Sequence, residues 1–111
     1  MGWKPTESEL DRRIASAVCA SYNAFVKLWN ESENDRSQPL RGDRKGGVTV
    51  SFRHTILGKV RSMRISSDDL PYDFLVTTRN WKSWNDGLRG AWKRMPIRIE
   101  NIKRIEMRSK A

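Results

Sequence analysis

The residues that could support catalysis are few in this chain. Four carboxylates of its second half could gather around Mg²⁺, as a phosphodiesterase requires: Asp68, Asp69, Asp73 and Glu100. Their spacing matches no nuclease pattern, and Asp68 and Asp69 more simply end a strand by competing for backbone hydrogen bonds. Three functions are considered: binding of nucleic acid, binding of another protein, and metal-dependent cleavage of phosphodiesters. The last has the weakest support, so the sequence favours a protein that is not an enzyme.

The single histidine and the single cysteine add no catalytic or metal-binding set. His54 has no second histidine or thiolate within zinc-ligand spacing, so we expect a surface or strand-end residue. Cys19 falls on an apolar helical face and is expected to be a small core residue. Because it is the one cysteine of the sequence, an internal disulfide is excluded. No metal and no cofactor are predicted.

Cations interleaved with tryptophans support a binding function more strongly than the residues above support catalysis. Arginine outnumbers lysine among them, which suits bidentate contacts to phosphate and stacking on bases. The cations are Arg53, Lys59, Arg61, Arg64, Arg79, Lys82, Arg89, Lys93, Arg94 and Arg98. Trp81, Trp84 and Trp92 lie among them, a mixture that is typical of surfaces holding single-stranded nucleic acid.

The three tryptophans have a second interpretation. Their spacing also fits the apolar face of a packed helix, in which case they belong to the core. The flanking cations would then remain on the opposite side, so the electrostatic argument does not depend on stacking.

The positive charge lies almost entirely in the second part of the chain. Residues 1–40 carry 5 Lys/Arg against 6 Asp/Glu, whereas residues 41–111 carry 17 against 7, which gives −1 and +10 and a total of +9. A segment this basic attracts phosphate backbones or acidic surfaces whatever its fold. A basic surface kept only for solubility is the alternative.

The elements that position these residues begin with a helix. Thr6 and Glu9 form a capping box, and the apolar periodicity predicts an amphipathic helix over residues 7–30. One broad apolar face is expected, formed by Leu10, Ile14, Ala17, Ser21, Phe25 and Leu28 and flanked by Val18, Tyr22 and Trp29. Residues 31–47 lose this periodicity and are predicted to form a linker or long loop that ends in Gly46-Gly47.

Five short strands are predicted over residues 48–111, which form the basic β-rich part. Alternation predicts strands near 48–53, 59–66 and 74–76, with a bulge in the second, and two more near 97–99 and 102–107, separated by a single turn at Glu100-Asn101. Residues 80–95 fit a short helix or a hairpin tip, and their spacing favours the helix. The length suits one domain of α+β class.

This order of elements, together with the closing stretch from Met95 to Glu106, resembles the small SH3-like and Sm-like barrels. The resemblance implies an antiparallel five-stranded barrel or a curved sheet. Members of that broad fold often bind RNA, DNA or short peptides, but no family motif accompanies the resemblance.

Nucleic acid, RNA or DNA, is the first predicted partner. The alternative is a small phage- or mobile-element-type protein that binds a host complex acting on nucleic acid and inhibits or adapts it, since Trp and Arg are enriched at interface hot spots. The N-terminal helix offers a homodimer seam. The chain has neither an apolar run of membrane-spanning length nor a signal peptide, so a cytoplasmic location is expected.

Overall fold

The computed structural model describes residues 2–5, 11–32, 43–54, 60–79 and 94–110, and of Pro5, Arg53, His54, Val60 and Arg61 the backbone alone. In chain order its elements are β1 (Lys4–Pro5), α1 (Arg12–Glu31), β2 (Asp43–Lys45), β3 (Val48–His54), β4 (Val60–Ser67), β5 (Tyr72–Thr78), a 3₁₀ turn (Ile99–Asn101) and β6 (Ile102–Ser109). The α+β class is confirmed.

The six strands form one antiparallel sheet in the order β1-β6-β5-β4-β3-β2. Strands that are consecutive in the chain are neighbours from β2 to β6. β1, which the sequence did not predict, pairs with β6 at one edge of the sheet. The sheet is open, with β1 and β2 at its two edges. Of the two predicted alternatives, a closed barrel and a curved sheet, the structure therefore has the open sheet. Two strand pairings contain an additional residue, Arg61 in β4 and Lys103 in β6. The first of these is the bulge that the sequence predicted.

Helix α1 begins where the Asp11 carboxylate accepts hydrogen bonds from the backbone N–H groups of Arg13 and Ile14, at 2.9 and 3.4 Å. The capping box predicted at Thr6 and Glu9 lies outside the described residues. The buried residues of α1 are Ala15, Val18, Cys19, Tyr22, Phe25, Val26 and Trp29. Phe25 and the predicted flanking residues are among them, so the buried face is the predicted one rotated toward that flank. Leu28 is exposed instead, whereas Cys19 is a core residue as predicted.

One apolar cluster fills the space between α1 and one face of the sheet. The sheet supplies residues that alternate along β3, β4 and β5, as period-two strands require, and two residues of β6 whose spacing of three includes the additional residue Lys103. They are Val48, Val50, Phe52, Met63, Ile65, Phe74, Val76, Ile102 and Ile105. Residues that alternate with these point to the other face of the sheet, away from α1, which we call the outer face.

Residues 94–98 replace one of the predicted strands. They form neither a helix nor a strand of the sheet. Instead, two asparagines of α1 bond both backbone polar groups of a residue in the segment: Asn30 pairs with Arg94 at 3.0 and 3.2 Å, and Asn23 pairs with Ile97 at 3.0 and 2.9 Å. The helix side chains thus satisfy the backbone of Arg94 and Ile97, the two buried residues of this segment, whereas the sequence predicted a strand at 97–99.

The linker prediction for residues 31–47 is only partly right. Asp43 to Lys45 form β2, which pairs with β3 through a two-residue turn. Gly46 and Gly47 have φ of 56° and 80°, the left-handed pair that a tight hairpin of this kind needs. The turn closes where the sequence placed the end of the loop.

Candidate functional site

The outer face of the sheet is polar, and arginines stand in its cross-strand rows. One row joins Arg44, Thr49, Ser66, Asp73 and Arg108, and the next joins Ser51, Arg64, Leu75 and Glu106. A row of hydroxyls and guanidiniums is rich in hydrogen-bond donors. Leu75 is buried in it but lies outside the core cluster. This face therefore carries the exposed cations of the sheet at fixed positions.

Asp73 holds two of these arginines together. Its carboxylate accepts hydrogen bonds from Arg64 at 2.5 Å, from Arg108 at 3.4 Å and from the Ser66 hydroxyl at 2.6 Å. Burial by itself would raise the pKa of Asp73, which is 5% exposed, but the three hydrogen bonds lower the pKa below its ordinary value. Asp73 is therefore ionised at neutral pH and neutralises only one of the two guanidiniums.

Trp3 lies beside the same two arginines. The guanidinium carbons of Arg108 and Arg64 are 4.4 and 5.9 Å from the centre of its ring. The position follows from β1, in which Lys4 pairs with Met107, so that Trp3 lies next to Arg108. Two cations against one aromatic ring are held by cation–π attraction, which keeps them in place without neutralising them.

A groove of about 620 Å³ opens at this end of the sheet, where β1, β6 and the start of β5 meet. Its lining includes Lys4, Arg64, Tyr72, Met107, Arg108 and Lys110. The Lys110 ammonium also donates to the Ser67 carbonyl. Among the described residues, this groove is lined by four cationic residues and one carboxylate, that of Asp73, which gives these residues a net charge of 4 − 1 = +3. Such a groove has the size of a small-ligand pocket and strongly favours an anion.

Of the predicted binding residues, Arg64 lies in this groove. Arg79 is exposed at the other end of β5 and donates to the carbonyls of Asn101 and Ile102, and Arg98 is exposed just before the 3₁₀ turn. Arg53 and Arg61 lie in β3 and β4, where only the backbone is described. The remaining predicted residues lie outside the described residues: Lys59, Trp81, Lys82, Trp84, Arg89, Trp92 and Lys93. The short helix considered for residues 80–95 lies there as well, apart from its last two residues.

The structure corrects the prediction of a surface role for Arg94. Its side chain is 1% exposed and stacks against three rings, with the guanidinium carbon 3.7 Å from the centre of Trp29, 4.8 Å from Phe52 and 5.4 Å from Phe25. Its terminal nitrogen is 3.7 Å from the Asp43 carboxylate. Burial raises the pKa of Asp43, although Arg94 and Lys45 act in the opposite direction. Arg94 is an interior cation of the core.

Sequence reasoning missed most of the groove, namely Lys4, Tyr72, Arg108 and Lys110, and also Trp3 beside its arginines. For Arg108 the signal was present, because Arg104, Glu106 and Arg108 alternate with the core-facing Ile105 and Met107 at strand period. No comparable signal exists for β1, which is two residues long.

Two of the four carboxylates considered for Mg²⁺ form ion pairs with arginines. Asp68 pairs with Arg44 at 2.7 Å, and Asp73 binds the two arginines described above. In the described part of the chain no three His, Cys, Asp or Glu side chains are grouped so that they could hold a metal ion. His54 is the last residue of β3, the strand-end position expected for it.

Comparisons of the chain with protein-family models, with curated proteins and with solved structures find no match. Among the described residues, no helix has both the length and the apolar character needed to cross a membrane.

Proposed function

We propose that this protein binds nucleic acid, RNA or DNA, through the outer face of its sheet and the adjoining groove. One observation carries the proposal: Lys4, Arg64, Arg108 and Lys110 line one groove, and Asp73 is the one carboxylate among the described residues that line it. Phosphate oxygens are the ligands that suit several guanidinium and ammonium groups at once. A nucleic-acid backbone supplies such oxygens at regular spacing.

The ion pairs of this face are compatible with a polyanion. Arg64 keeps its side chain 45% exposed although it contacts Asp73, and Arg104 is 54% exposed beside Glu106. A guanidinium has five N–H donors, so one carboxylate leaves several of them for phosphate. The serine and threonine hydroxyls of the same rows add neutral donors of the kind that contact phosphate and sugar.

The proposal is tested by fluorescence anisotropy with short labelled oligonucleotides at a series of NaCl concentrations. The wild-type protein should bind more weakly as salt rises, with a log–log slope of about −0.7 for each phosphate contacted on a single strand and about −0.9 on a duplex. The double variant R64Q/R108Q should bind more weakly and give a shallower slope, because two phosphate-binding cations are lost.

The matched control is R13Q/K27Q, which removes the same charge from exposed positions of α1. It should retain the wild-type slope if the site is local. Equal losses in both double variants would mean that only net charge matters, and no binding at low salt would contradict the proposal. In that last case, capture of one stoichiometric protein from a nuclease-treated lysate would favour a host complex as the partner.

A further inference from the structure

We infer that the groove at the β1 end of the sheet accepts an unpaired nucleotide, so that the protein prefers single-stranded to duplex nucleic acid. This inference rests on the proposed function and names the form of nucleic acid that the same site takes. It depends on the combination of an exposed ring, an apolar floor and a cationic rim in one groove.

The exposed ring belongs to Tyr72. It is the first residue of β5 and is 43% exposed, although residues at the following alternate positions, Phe74 and Val76, are buried in the core. Its backbone pairs with Ser109, which also lines the groove. A large exposed ring at the rim of a pocket is available to stack on a flat ligand.

The apolar floor and the cations complete a site for a nucleotide. Met107 is partly buried against the core and lines the groove, while Lys4 pairs with it directly across the strands. A base needs a flat apolar contact, whereas its phosphate needs cations within a few ångströms. The groove lies at the end of the sheet and takes residues from both of its sides: by alternation Tyr72, Met107 and Lys4 belong to the core-facing side, whereas Arg64 and Arg108 belong to the outer face. Its volume of about 620 Å³ falls in the range of small-ligand pockets.

Duplex nucleic acid can place a base against the Tyr72 ring only at a cost in free energy. Its bases are stacked inside the helix, so that a base reaches a side-chain ring only after unstacking and unpairing, which costs a few kcal/mol. A single strand presents bases that are already free to stack on aromatic side chains. The cations alone would bind either form, so the ring is what creates the preference.

The experiment compares a labelled single strand with the same strand annealed to its complement, in DNA and RNA versions, against the wild type, Y72A and Y72F. Y72A should weaken single-strand binding roughly five- to hundredfold, the effect expected when one stacked base is lost. The salt slope should stay unchanged, since no charge is removed. Y72F keeps the ring and should bind as the wild type does.

Leu28→Ala is the matched control, because it truncates an exposed apolar side chain on α1. Circular dichroism and the unfolding midpoint of each variant check that the fold is retained. Equal affinity for single strand and duplex, or an unaffected Y72A beside a weakened R64Q/R108Q, would overturn this inference and leave the proposed function standing. Failure of the wild type to bind any oligonucleotide would overturn the proposed function itself.

Discussion

Arg94 shows that the type of a residue does not fix its place. By type and by its neighbours in sequence it belongs with the surface cations, and the sequence predicts it there. The structure buries it because Trp29, Phe25 and Phe52 form a flat-sided cavity and Asn30 bonds both polar groups of its backbone. Such an environment arises from residues far apart in the chain, so no local pattern announces it.

We expect Arg94→Ala to lower the free energy of unfolding by about 3 kcal/mol, because it opens a cavity and removes the cation beside Asp43. Arg94→Met should cost less, since it keeps most of the volume against the three rings. Urea denaturation measures both. Arg13→Ala, at a side chain that is 94% exposed, should change nothing measurable, and an equally silent Arg94→Ala would refute the structural role.

At the scale of elements, apolar periodicity predicted correctly those elements that are long and pack on one face. The strands near 48–53, 59–66 and 74–76 are present as β3, β4 and β5, and the helix is present as α1. The pattern failed at residues 94–98, where Ile97 and Arg94 are buried, Met95 is exposed, and the two buried residues bond to helix side chains instead of a neighbouring strand. It also missed β1 and β2, which are too short to carry a period.

The turn between β2 and β3 permits a test at this scale. Gly47 has φ of 80°, and a Cβ there would lie 3.1 Å from an Asp68 carboxylate oxygen. We expect Gly47→Ala to lower the free energy of unfolding by about 1–2 kcal/mol through left-handed backbone strain. Gly47→Asn carries the same Cβ but tolerates that backbone, so it should recover part of the loss in thermal unfolding. Equal stability of Gly47→Ala and the wild type would show that the turn is not under this constraint.

At the scale of the whole molecule, charge was predictable and its arrangement was not. The sequence places the excess in residues 41–111, and the described cations of the groove include three from that part. The fourth, Lys4, comes from the nearly neutral N-terminal part, because antiparallel pairing of β1 with β6 brings two distant segments of the chain together. Linear charge counts contain no information about such a pairing.

The same excess has a consequence for stability that does not depend on any single site. With 22 Lys/Arg against 13 Asp/Glu, repulsive charge pairs outnumber attractive ones, and the compact state holds them closer than the unfolded chain does. Screening by NaCl should therefore raise the unfolding midpoint by a few degrees, measured by thermal denaturation over increasing salt.

A single-stranded oligonucleotide should produce a larger rise in the unfolding midpoint at low salt, because a ligand that binds only the folded state stabilises it by mass action. That second rise should be much smaller in R64Q/R108Q but persist in R13Q/K27Q. If both double variants lost it equally, the stabilisation would come from diffuse charge and not from the groove.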